Sequence, residues 1–218
     1  MTQAPPPQQR LRITYGKDGA LIYTGHLDMA RLWERIARRA ALPLAYSHGF
    51  NPRPRLQMAD ALPLGVSSAC EIIDMYMKTP VSLDGLGARL EAAAPEGLAV
   101  FDVAEVALKG AALQTLIDAA DYLIRFPDGI DPADLDARIA AFLDKPRVEH
   151  VRRGKRYDLR PLVRRLTVTP EGILEARLSL GAGSTARPDA LLEVLGLGDA
   201  FVAVHRKTLY LRSALTNN

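Results

Sequence analysis

Cysteine is almost missing from the chain: Cys70 is the only one. That excludes an internal disulfide framework and any iron–sulfur centre held by several thiolates of this chain, and it fits a reducing cytoplasm. Histidine is scarce too. His26, His48, His150 and His205 fall at no metal-ligand spacing, so no zinc site is expected. No apolar run approaches the roughly 18 residues of a membrane-spanning helix. The opening MTQAPPPQQR lacks the apolar stretch of an export signal and reads as a disordered lead-in over residues 1–9. What is present is 48% apolar and 24% charged residues, the balance of a packed globular protein rather than a disordered one. A length of 218 residues allows one large or two small domains. The expectation is a cytoplasmic protein without a membrane partner.

The chain is organised around Gly25–Pro54, GHLDMARLWERIARRAALPLAYSHGFNPRP. His26 to Ala41 holds no Gly or Pro, which favours helix. At helical period Met29, Leu32, Trp33, Ile36, Ala37 and Ala40 share one face, with Arg31, Arg35, Arg38 and Arg39 opposite. Asp28 suits the first turn, and Pro43 stops the helix. The arginine stripe is either a solvated face or a phosphate-binding ridge, since the planar guanidinium matches phosphate oxygens. The loop that follows is stiffened by Pro52 and Pro54 and turned by Gly49. Within it Tyr46 and Phe50 are expected to pack. His48, Asn51, Arg53 and Arg55 are the candidate ligand contacts.

Periodicity then divides the chain. Leu11–Tyr15 and Ala20–Tyr23 read as a hairpin, followed by the arginine helix. Arg55–Ala61 and Cys70–Lys78 read as strands, Ser82–Ala94 as a helix and Leu98–Leu108 as a closing strand. A second set begins with Leu113–Phe126, where Leu123–Phe126 reads as strand and Leu113–Leu123 is open to helix. Pro132–Leu143 is a helix capped by Asp131. Val148–Val151, Arg156–Leu159, Leu166–Thr169 and Ile173–Leu180 read as strands, Pro188–Leu195 as a helix and Phe201–Leu211 as a last strand. The predicted class is α+β, with two ferredoxin-like α/β sandwich units in tandem and helices on one face of each antiparallel sheet. The domains are expected at 10–110 and 111–214.

Charge is concentrated in Lys145–Arg165. Nine cations stand there against Glu149 and Asp158, a local +7 in a chain of net +3, so the remainder is −4. Arg152, Arg153, Lys155 and Arg156 read as the tip of a basic hairpin, able to lie along a phosphate backbone. A charged turn that merely avoids edge pairing has the same composition. DNA is less favoured, because no helix-turn-helix or zinc module is present. The glycine-rich turn Gly181–Thr185 before Arg187 and Pro188 lacks the lysine of a nucleotide-binding loop; it reads as a strand-to-helix connection.

The residues of Gly25–Pro54, with Pro63, Leu64, Gly65, Ser68 and Glu71 after them, resemble the radical-SAM-linked proteins, a bacterial family that is a domain of unknown function. The matching residues are Gly25, His26, Leu27 and Asp28; Arg38, Arg39 and Ala40; and Leu42, Pro43, Tyr46, Ser47, Gly49, Phe50, Asn51, Pro52 and Pro54. Tyr157–Pro161 and Arg187–Asp189 extend the likeness over most of the chain. Members of that family are fused to, or encoded beside, radical SAM enzymes that resemble modifiers of nucleic acid or ribosomal proteins. The resemblance therefore implies a radical SAM enzyme as partner, which would itself carry the iron–sulfur cluster and S-adenosylmethionine. No cofactor or metal is expected in this chain.

The function expected is a non-catalytic RNA-binding accessory subunit that presents RNA, such as tRNA or rRNA, or a ribosomal component to that enzyme. Two rivals remain. Tandem ferredoxin-like units also resemble the metal-independent endoribonucleases that process CRISPR repeats, in architecture alone. For such chemistry His26, Tyr46 and His48 are the candidate acids and bases. The other rival is a protein-only docking module whose arginine face meets acidic residues of the enzyme.

Overall fold

The computed structural model describes residues 6–48, 50–181 and 185–212. The chain divides into two compact units, Met1–Leu116 and Ile117–Asn218. In the first unit the order is β1 (Gln9–Lys17), α1 (His26–Arg39), β2 (Leu56–Met58), β3 (Val66–Met77), α2 (Leu86–Ala93), β4 (Leu98–Val106) and a short α3 (Leu113–Leu116). The strands lie in the order β4-β1-β3-β2, all antiparallel. This is the β-α-β-β-α-β arrangement expected of a ferredoxin-like unit.

The core follows from the two periodicities. Leu11, Ile13 and Tyr15 alternate onto one face of β1, opposite Met75, Ile73 and Glu71 of β3. Against that face α1 sets Met29, Trp33, Ile36 and Ala37, and α2 sets Leu86 and Leu90. Trp33 is fully buried and meets the Tyr15 ring edge-on, with centroids 4.8 Å apart. Truncating such a residue to alanine costs about 3–5 kcal/mol. The far face carries charge. Asp74, fully buried, accepts from Arg10 Nε at 2.9 Å and from Arg12 Nε at 2.8 Å.

Helix α1 ends as its sequence requires. Ala41 takes φ +49°, while Leu42 N–H reaches Ala37 C=O at 2.9 Å and Ala41 N–H reaches Arg38 C=O at 3.1 Å. These two bonds make a Schellman end, with alanine where glycine is usual, and Pro43 forbids a further turn.

The expected strand at Ala20–Tyr23 is instead a 3-10 helix, Gly19–Tyr23, capped by the Asp18 side chain. The reason is the sheet order: β3 and β4 already occupy both edges of β1, so no edge is left for a returning hairpin. The first closing strand ends at Val106 rather than Leu108. The ambiguous run after it resolves into α3 and then strand.

The second unit repeats the plan: β5 (Ile117–Arg125), α4 (Pro132–Leu143), β6 (Glu149–Arg152), β7 (Lys155–Asp158), β8 (Val163–Val168), β9 (Leu174–Ser179), α5 (Pro188–Val194) and β10 (Ala203–Leu211). Its sheet runs β10-β5-β9-β8, again antiparallel, and β6-β7 stands apart as a two-stranded hairpin. The inward positions are cross-strand pairs, Ala120 with Leu178, Tyr122 with Ala176 and Ile124 with Leu174. Leu135, Ile139 and Phe142 of α4 and Leu191 and Leu192 of α5 are buried as well. Asp131 caps α4 through Ala133 N–H, with Pro132 following, as the sequence predicts.

Candidate nucleic-acid interface

The hairpin β6–β7 turns in two residues. Arg152 pairs with Lys155, and Arg153 and Gly154 between them take φ +48° and +75°. Positive φ at both central positions is the type I′ geometry that matches strand twist. Arginine is an unusual occupant, since an L-residue in the left-handed region costs about 1–2 kcal/mol. Beside this turn lies a cleft of about 550 Å³ lined by Arg152, Arg153, Lys155, Arg156, Tyr157, Asp158, Leu162 and Thr185. Arg156 pairs with Glu149 at 3.2 Å. Among the described residues Arg152, Arg153 and Lys155 have no ion-pair partner.

The one carboxylate in the cleft lining is already committed. Asp158 Oδ1 accepts from Val148 N–H at 2.9 Å and from Arg160 N–H at 3.1 Å, so it braces the hairpin base. His150 braces the other strand: its Nε2 lies 2.8 Å from Glu193 Oε2 of α5. A carboxylate only accepts, so Nε2 carries the proton of that bond. The His150 ring also meets Tyr157 edge-on, with centroids 5.4 Å apart. Burial pushes the Tyr157 phenol above its ordinary pKa, so it stays a neutral donor. Sequence reasoning passed over His150 as an isolated histidine and gave Tyr157 no role.

The rest of the basic stretch is otherwise employed. Arg164 Nε donates to Ser179 Oγ at 2.8 Å and its Nη2 donates to Asp118 Oδ1 at 2.9 Å. Arg164 in turn holds the Asp118 carboxyl below its ordinary pKa. Arg165 faces Glu175 at 3.6 Å. Arg160 donates to Leu143 C=O. The basic finger is therefore shorter than its composition predicts, because Val163–Val168 is a sheet strand. On that sheet, Arg177 grips Asp121 at 2.7 Å and the Tyr210 hydroxyl donates to Asp121 at 2.8 Å. The Arg177 hydrogen bond lowers the Asp121 pKa, and the bond to Asp121 raises that of Tyr210. These groups already engage one another, which leaves this face little to offer a base.

In the first unit the arginine stripe is half neutralised. Arg31 pairs with Asp28 at 3.0 Å and Arg38 with Glu34 at 2.7 Å. Arg35 and Arg39 are exposed, without a carboxylate partner among the described residues. Arg39 and Arg89 border a shallow groove of about 490 Å³ floored by alanines.

The proline loop is a narrow hairpin clamped at its base. Leu44 bridges Met77, Arg55 N–H donates to Ala45 C=O at 2.8 Å, and Tyr76 N–H donates to Arg55 C=O at 3.1 Å. Above these, Tyr46 bridges Pro54; Ser47 N–H donates to Arg53 C=O at 2.8 Å, and Arg53 N–H to Ser47 Oγ at 3.0 Å. The Arg55 guanidinium lies over the Tyr76 ring, 4.8 Å from its centroid. His48, Asn51 and Arg53 are exposed, and Tyr46 packs on the core edge as expected. Phe50 does not pack: it is 93% exposed. The clamped base holds the apex away from the core, so side-chain hydrophobicity is overruled by the backbone. Gly49, like Ala182–Ser184 of the glycine-rich turn and the first residues of the lead-in, lies outside the described residues.

The three catalytic candidates do not share a site. His26, exposed at the start of α1, borders a small cavity with Lys17, Asp60 and Glu71. Neither Tyr46 nor His48 lines that cavity; both belong to the proline hairpin. The described residues contain no group of three or more His, Cys, Asp or Glu side chains able to hold a metal. No helix among them is long and apolar enough to cross a membrane.

Comparison with known proteins gives remote likeness in structure. The chain is similar to a chain in the crystal structure of a Cbf5-Nop10-Gar1 complex (TM-score 0.46, 11% identity, 92% of this chain and 47% of that one). It is also similar to a chain in an H/ACA RNP bound to a substrate RNA containing 2′-deoxyuridine (TM-score 0.41, 13% identity, 95% and 51%). It thus spans about half the length of each. Likeness this remote does not extend to function. No curated protein matches the chain significantly. The sequence does match, over residues 10–188, a family described as "Uncharacterized protein conserved in bacteria (DUF2344)", and the chain belongs to that family.

Proposed function

We propose that the chain is a non-catalytic, cytoplasmic RNA-binding protein that presents RNA, or a ribosomal component, to a separate radical SAM enzyme. The observation that carries the RNA part is the cleft at the β6–β7 turn. It gathers three cations without an ion-pair partner among the described residues, a fourth shared with Glu149, and a neutral tyrosine, and the one carboxylate in its lining is turned to backbone amides. Guanidinium forks suit phosphate oxygens, and the Tyr157 ring offers a face or a hydroxyl to the nucleotide between them. The enzyme partner rests on the sequence resemblance of Gly25–Glu71. With Cys70 as its only cysteine, the chain would leave the iron–sulfur chemistry to that partner.

The test is a salt titration of single-stranded RNA binding by fluorescence anisotropy. Each phosphate contact contributes roughly 0.7 to the slope of log K against log salt. Arg153→Gln should lower that slope by about one such contact and weaken binding at every sequence alike. Binding without salt dependence, or unchanged in Arg153→Gln and Lys155→Gln, would remove the RNA reading and leave a protein-docking role. RNA incubated without metal should stay intact. Cleavage lost in His48→Ala would turn the assignment to an endoribonuclease.

A further inference from the structure

We infer that Phe50 is a stacking platform for an unpaired RNA base, held out by the proline hairpin. The inference rests on the RNA reading above and adds to it a second contact of different chemistry. A phenylalanine at 93% exposure forgoes the burial that usually places this residue inside. Its position is imposed: Ser47 and Arg53 exchange two hydrogen bonds just below it, and Tyr46 bridges Pro54. Pro52 and Pro54 leave the chain few other conformations. Charge selects the occupant. His48, Arg53 and Arg55 belong to the same hairpin and are exposed, and no Asp or Glu occurs between Ala40 and Ala59. An apolar partner patch would gain nothing from the two exposed guanidinium groups, and an acidic patch would gain nothing from the ring. A single-stranded nucleic acid satisfies both, with the base on the ring and its phosphates toward Arg53 and Arg55. A paired base is excluded from the ring by its neighbours in the stack, so single strands are preferred over duplex.

The full chain is tested with a single-stranded RNA dodecamer and with a blunt duplex of the same sequence. Phe50→Ala should weaken single-strand binding by roughly 5- to 150-fold, the range for loss of one base–aromatic stack. The salt slope should stay at the wild-type value, because no charge is removed. Phe50→Trp should restore binding. Phe50→Leu, which keeps apolar bulk without a ring, should not. Duplex affinity should be the same in all of them. Arg153→Gln serves as the reference, lowering the slope for both RNAs. If Phe50→Ala binds the dodecamer as the wild type does while Arg153→Gln is impaired, the stacking role is wrong and the RNA reading stands. If neither variant changes binding, both fail. Full retention in Phe50→Leu would also overturn stacking, in favour of a generic apolar contact.

Discussion

Each unit interrupts the same connection, from first helix to second strand, with a hairpin. In the first unit it lies between Arg39 and Leu56, in the second between Leu143 and Val163. The apex is a phenyl ring in one and a guanidinium in the other. Their supports differ as well. The proline hairpin is tied by main-chain bonds from Ala45 and Arg55 into β3, so its shape hardly depends on side chains. The β6–β7 hairpin is a separate two-stranded sheet that stands on side chains, with His150 on Glu193 and Asp158 on two amides. A lone two-stranded hairpin is marginal in water, which is why those props are needed. One scaffold position thus carries a rigid apolar probe in one copy and an adjustable cationic one in the other.

The strongest way to break this contrast is to discharge one hairpin. Replacing Arg152, Arg153, Lys155 and Arg156 together by glutamine should weaken RNA binding on the order of 100-fold or more at moderate salt. The melting temperature should hardly move, because Arg153, Lys155 and Arg156 are exposed and Arg152 is only half-buried. The supports are expected to answer next. His150→Ala should cost about 1 kcal/mol in chemical denaturation and raise amide exchange through Glu149–Asp158. Ser47→Ala should cost less, since the main-chain bonds of its hairpin remain.

Arg153→Gly sharpens the comparison by splitting stability from binding. It should stabilise the second unit by about 1 kcal/mol, because glycine accepts φ +48° without strain, yet weaken RNA severalfold. The smallest effect is with pH. Asp118 and Asp121 have lower pKa values folded than unfolded, so protons favour the unfolded chain. Their contribution is complete above about pH 4 and fades as pH falls further through the depressed values. Thermal melts from neutral pH into acid should show that decline, and it should be reduced in Asp121→Asn. A profile identical in the variant would contradict it.

Much of the fold was legible because burial follows simple periods. Met29, Trp33, Ile36 and Ala37 spell one helical face, and Leu174, Ala176 and Leu178 one strand face. What was illegible depended on partners distant in sequence. Ala20–Tyr23 fits a strand or a 3-10 turn equally, and only the occupied edges of β1 decide between them. His150 lies 43 positions from Glu193, so its bracing role leaves no local trace. Arg164 and Arg165 count toward a basic run until β8 sets them against Asp118 and Glu175. Phe50 was misplaced because hydrophobicity argues inward while the clamp below it points out. The cations of the second hairpin were visible because the two-residue turn Arg153–Gly154 sits between alternating residues.

The most direct measurement is ultraviolet crosslinking of bound single-stranded RNA, followed by peptide mapping. Adducts are expected on the peptide carrying Tyr157 and, with Phe50 in contact, on the peptide carrying His48–Arg53. Adducts confined to peptides outside both hairpins, or none at saturating RNA, would contradict the account.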